Sequence, residues 1–131
     1  MTQTATTQAA ANLELAGRLF SAVERGDVEA LREIYAPDAQ IWHNTDQQVQ
    51  TIEQNFRTIG WIAKNVKDFR YEDIQRQATE TGFVEQHLTR GTGPGGNDFT
   101  IPACIVCTVV DGRITRLDEY LDSAQVAALA G

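Results

Sequence analysis

The sequence predicts an α+β domain in which helices of the N-terminal half pack against one face of a mostly antiparallel sheet. Three observations carry this. Apolar residues recur at helical spacing between Leu13 and Val66, with one short β-branched and aromatic interruption. After Lys67 the period changes to alternation. Gly93-Pro94-Gly95-Gly96 and Asp111-Gly112 then divide the remainder into strand-length runs, as hairpin turns do.

From Thr2 to Ala11 the chain is Thr, Gln and Ala, which have little to bury, so residues 1–11 are expected to form a mobile tail and residues 12–131 a single domain. Leu13, Ala16, Phe20 and Val23 form the stripe of a first helix, Leu15, Leu19 and Ala22 widen it, and Gly26 stops it. Asp27 caps a short second helix with Val28, Leu31 and Ile34 on one face, and Pro37 follows its end. Ala39 to Asn44 reads as a strand, broken by the polar stretch Thr45 to Gln50. Thr51-Ile52-Glu53-Gln54 has the spacing of a capping box and opens a third helix with Ile52, Phe56, Ile59, Ala63 and Val66 on one face. Trp61 and Ile62 lie on other angles of that helix. Beyond Lys67, Phe69, Tyr71 and Asp73 share one face of a strand and Arg70, Glu72 and Ile74 the other. Gly82 to Thr92, Phe99 to Val110 and Arg113 to Asp122 complete the sheet, their short turns making neighbours antiparallel.

The chain has 131 residues, the size of one domain, with 42% hydrophobic and 22% charged residues, which places it among globular proteins. Eighteen acidic against eleven basic residues give a net charge of -7, which opposes binding to nucleic acid or to an anionic membrane. No run approaches the roughly 18 apolar residues that cross a bilayer. The start of the chain shows neither a basic nor an apolar leader segment, so a cytoplasmic location is expected. Cys104 and Cys107 lie three apart on one strand and so face opposite sides, which argues against a disulfide or a shared metal. No metal and no cofactor are expected.

Glu24-Arg25-Gly26-Asp27, Tyr35-Ala36-Pro37-Asp38-Ala39, and Asp111-Gly112-Arg113-Ile114 through Asp118-Glu119-Tyr120-Leu121-Asp122, in this order of elements, resemble the SnoaL-like branch of the nuclear-transport-factor-2-like superfamily. The resemblance spans about Leu13 to about Leu129. It implies a cone-shaped half-barrel, cystatin-like in outline, whose strongly curved sheet wraps around the three helices and encloses an apolar cavity. Ketosteroid isomerases, limonene epoxide hydrolases, polyketide cyclases, dehydratases and non-catalytic domains share this fold, so function rests on the site.

In that resemblance His43 stands where the isomerases carry a catalytic aspartate and the epoxide hydrolases an asparagine that holds water. A neutral imidazole there could accept a proton near pH 7; the alternative is a half-buried histidine satisfied by a backbone carbonyl. Glu119 matches a catalytic aspartate of the hydrolases and shares its face with Leu117 and Leu121. Between two leucines a lone carboxylate would titrate high and serve as acid or base; the alternative is an ordinary solvated or paired one. His43 and Glu119 are therefore the expected acid/base pair, with Ile41, Asn44, Trp61, His87, Leu117 and Tyr120 as ligand contacts. The strand around His87 mixes its faces too evenly to say which points inward. Leu19 falls where the isomerases place an oxyanion-donating tyrosine, and Cys104 or Ile105 where they place its acidic partner. Their mechanism is thus not expected here.

The expected function is cofactor-independent acid/base chemistry on a small apolar metabolite, as isomerase, dehydratase, cyclase or epoxide-type hydrolase. A non-catalytic ligand-binding module and a protein-interaction domain of the same fold remain open alternatives. A homodimer through the outer sheet face is also expected, because the helices cover only one side of the sheet.

Overall fold

The helical period of the first half gives α1 (Thr2–Arg25), α2 (Val28–Ile34) and α3 (Ile52–Asn65) in a computed structural model that describes residues 2–130, with side chains for residues 7–129. Residue 1 of the expected tail lies outside the described residues. α1 begins at Thr2, ten residues before the expected start, and the Ala and Gln of this stretch are good helix formers. Among the described residues its first buried side chain is nevertheless Asn12, whose Nδ2 donates to the Gly82 carbonyl at 3.1 Å.

Gly26 ends α1 at φ 65°, and a Cβ there would lie 2.6 Å from the Ala63 Cβ. Glycine therefore serves both the left-handed turn and the close approach of α3. The Asp27 carboxylate accepts from the Ala30 amide at 3.1 Å and starts α2. At the head of α3 the capping box is complete, with Thr51 and Gln54 each satisfying the other's backbone amide.

Six strands form one sheet in the order β2-β1-β6-β5-β4-β3. β1 (Tyr35–His43) runs parallel to β6 (Arg113–Leu121), while β3 (Lys67–Ala78), β4 (Gly82–Thr92) and β5 (Asp98–Val110) continue antiparallel. β1 starts at Tyr35 rather than Ala39, and Pro37 is accommodated where the β1–β6 register is interrupted between Tyr35 and Gln40. β2 (Gln48–Gln50) was not expected from the polar stretch. The turn before it is held by Asp46 Oδ1, which accepts from the Gln48 amide at 2.9 Å, and by Gln47 at φ 56°. No glycine marks that hairpin.

The sheet owes part of its curvature to β3. Pairing with β4 gains one extra β3 residue between Lys67 and Arg70 and another between Glu72 and Gln75, and at each bulge an aspartate, Asp68 or Asp73, takes a positive φ of 55° or 53°. The first precedes the expected alternation, which holds for Phe69 and Tyr71, both on the cavity face; the second, at Asp73, interrupts it. A fourth helix, α4 (Ser123–Ala130), corrects the expectation of three. It packs Val126, Ala128 and Leu129 on Val66, Phe99 and Ile101. The main core joins Leu15, Leu19 and Phe20 of α1 to Ile34, Ile41, Phe83, Ile105 and Ile114.

Candidate functional site

Parallel pairing sets Ile41 opposite Leu117 and His43 opposite Glu119. Alternation then places all four on the concave face of the sheet, where they line a cavity of about 270 Å³. Leu19, Phe20 and Val23 of α1, Ile59 and Ile62 of α3, and Val126 and Leu129 of α4 supply apolar wall from the helices. The space is apolar except where a few side chains break the lining, as ligand cavities commonly are.

The chemistry is concentrated in one pair. His43 Nε2 lies 2.9 Å from Glu119 Oε1, and the two side chains keep 18% and 20% of their surface. Of the two readings the sequence left open for Glu119, the structure has the paired carboxylate. Burial of the imidazole works to lower its pKa, but the Glu119 hydrogen bond, the Glu119 charge and Asp46 together hold it above the ordinary 6.5. In the neutral ring Glu119 accepts the Nε2 proton, which leaves the lone pair on Nδ1. The pair can take up a proton and hold it.

The expected ligand contacts separate. Ile41 and Leu117 line the cavity beside the pair. Asn44 does not line it: Nδ2 donates to the Leu121 carbonyl at 3.1 Å and Oδ1 accepts from the Leu121 amide at 2.8 Å, so both ends of the amide clamp β1 to β6. Tyr120 lies on the opposite face, 50% exposed, its ring edge-on to Trp42 at 5.2 Å, because odd and even residues of β6 point to opposite sides. Trp61 stands 41% exposed on the outside of α3, while Thr58, Ile59 and Ile62 face the cavity.

His87 points inward but is sealed beneath the cavity. Nδ1 lies 2.6 Å from Glu85 Oε2, Arg76 Nε donates to Glu85 Oε1 at 2.6 Å, and neither the His87 nor the Glu85 side chain is exposed at all. Its Nε2 has no hydrogen-bond partner among the described residues. The ring is stacked against Tyr71 at 4.2 Å and meets Phe20 edge-on at 5.1 Å. Inward Glu85, His87 and Thr89 alternate with outward Val84 and Leu88, which is why hydrophobic alternation could not orient β4.

Tyr35 and Tyr71 also line the cavity, and neither was among the expected ligand contacts. Burial, then nearby negative charge including Glu119, pushes both phenols well above their ordinary range, so they remain protonated donors. The alternation of Phe69 with Tyr71 was the one available signal. Cys107 faces the core and Cys104 the outside, and both are free thiols. Among the described residues no group of three or more His, Cys, Asp or Glu could hold a metal ion.

A bent six-stranded sheet folded over helices is the ketosteroid isomerase-like, nuclear-transport-factor-2-like fold. The SnoaL-like domain profile matches residues 16–117, and the chain belongs to that family. Its fold is similar to that of a candidate polyketide cyclase from Xanthomonas campestris pv. campestris, at TM-score 0.80 and 18% identity over 93% of this chain and 98% of that one. IdmH, a candidate polyketide cyclase from Streptomyces antibioticus, is similar at TM-score 0.75 and 23% identity over 90% and 96%. A hypothetical protein from Catenulispora acidiphila, solved with trimethylamine, is similar at TM-score 0.77 and 16% identity over 90% and 92%. No curated protein matches the sequence.

Proposed function

We propose that the protein is a cofactor-independent enzyme that moves a proton on a small, mostly apolar carbonyl compound, with His43 as base and Glu119 as its partner. The observation that supports this is the 2.9 Å His43–Glu119 contact in the wall of an apolar cavity of about 270 Å³. His43 Nδ1 takes a proton from the carbon beside the carbonyl, and the C–H electron pair moves onto the carbonyl oxygen. Glu119 stabilises the imidazolium that forms. Return of the proton to another carbon is an isomerisation, and attack of the enolate carbon on a second carbonyl of the same molecule closes a ring. The second outcome agrees with the cyclase names carried by the fold relatives.

Deuterium uptake next to the carbonyl of small aryl ketones, followed by NMR in heavy water, tests the reading. Wild type should exchange at least about 10²-fold faster than His43→Ala. Equal rates would overturn catalysis, and ketone binding without exchange would leave a non-catalytic binding module.

A second copy on the outer sheet face is part of the same proposal. Tyr120, Val106 and Val110 stand exposed there. Light scattering at micromolar concentration should give twice the monomer mass, and a monomer would remove this part. Among the described residues no helix is long and apolar enough to cross a membrane. The two free thiols fit a reducing compartment, which supports the cytoplasm.

A further inference from the structure

We propose that Tyr71 donates the hydrogen bond that holds the substrate's carbonyl oxygen, and that His87, Glu85 and Arg76 are positioning residues that fix its ring; this rests on the carbonyl reading above.

Three observations lead to it. Tyr71 lines the cavity, and its ring is held on three sides, by Phe20 at 5.4 Å, Phe69 at 5.5 Å and the His87 imidazole at 4.2 Å. Its backbone amide is fixed as well, donating to Glu24 Oε2 at 2.9 Å. Beneath the ring lies a chain of polar groups with no role in the His43–Glu119 pair: Arg76 on Glu85 and Glu85 on His87, each at 2.6 Å.

Such a chain costs desolvation, and His87 Nε2 is left without a partner among the described residues. An apolar residue at position 87 would support the fold more cheaply. What the chain provides is an immobile imidazole against one face of Tyr71, and α1 accommodates it, since a Cβ at Gly17 would lie 3.2 Å from Arg76 Nη1. Preorganised donors aimed at a developing oxyanion need that kind of rigidity. Tyr35 also lines the cavity, but among the described residues its aromatic contact is Phe56 alone, at 6.1 Å.

The probes are 2-acetylnaphthalene and its carbonyl-free analogue 2-ethylnaphthalene. Wild type should bind the ketone about tenfold more tightly, the worth of one hydrogen bond, and lower its infrared carbonyl frequency. Tyr71→Phe should abolish both differences while binding 2-ethylnaphthalene as before. Replacing Tyr71 by 3-fluorotyrosine, a stronger donor of nearly the same shape, should deepen the frequency shift. His87→Leu should broaden the carbonyl band, which a merely structural histidine would not do. An unchanged shift in Tyr71→Phe, or its loss in Tyr35→Phe alone, would overturn the assignment. His43→Ala should keep the shift, so a wild type that shows it without deuterium exchange would retain the donor and lose the proton-transfer reading. If the wild type binds neither probe, both fall.

Discussion

The two histidines of this chain are each held by a glutamate, and the two pairs have different consequences. His43 meets Glu119 across the parallel β1–β6 junction, and both keep about a fifth of their side-chain surface. His87 meets Glu85 two residues away on the same face of β4, and both are fully enclosed. Pairing alone therefore does not mark a reactive group. Access does, because a proton acceptor must reach its substrate, whereas an enclosed pair can only brace what lies above it.

The comparison can be broken most severely at Glu85. Glu85→Ala strands Arg76 and His87 beside apolar neighbours, and urea unfolding should show a loss of about 3 kcal/mol or more. Glu119→Ala, at the accessible pair, should cost less than about 2 kcal/mol. Similar losses at the two sites would erase the distinction. Turnover should respond in the opposite sense: His43→Ala is expected to keep stability within about 1 to 2 kcal/mol while lowering the rate about 10²-fold. A variant that melts early yet turns over normally would make His43 a structural residue.

Asn44→Ala sharpens the same contrast, because the two bonds to Leu121 hold the strand ends that carry His43 and Glu119. Its expected cost is about 1 to 2 kcal/mol, with a fall in turnover that Asn44→Asp does not repair, since a carboxylate cannot donate to the Leu121 carbonyl. An unaltered rate would separate the clamp from the pair.

The smallest effect is that of pH. Folding raises the His43 pKa, so the stability it contributes is complete below about pH 6.5 and is lost as pH rises through the higher folded value. Between pH 6 and pH 8, wild type should lose more stability than Glu119→Gln, by less than about 1 kcal/mol. A steeper loss in the variant would reverse the sign.

Much of the fold was legible because periodicity and turn chemistry agree along the chain. The capping box at Thr51, the left-handed Gly26 and the Asp111-Gly112 hairpin each mark a boundary with local chemistry alone. β2 was not legible, since its turn uses Gln47 at positive φ where glycine would ordinarily signal it. Nor was α4, whose short run of Ala, Val and Leu gains its place by packing on Phe99 and Ile101. At the site, the resemblance pointed to His43 and Glu119, while alternation should have turned Tyr120 outward once Leu117 and Leu121 were turned in. Asn44 and Trp61 failed for a different reason. Whether an amide binds backbone, or which flank of a helix meets a cavity, is decided by contacts with distant segments.

The parallel junction between β1 and β6 bears on how the protein is made. Asn44 and Leu121, which flank the pair, are 77 positions apart, whereas the β3–β6 meander closes through short local turns and can assemble first. A chain emerging from the ribosome thus has His43 long before it has Glu119. The pair comes into being only when the last strand slots beside the first, so only a copy that has finished folding carries it.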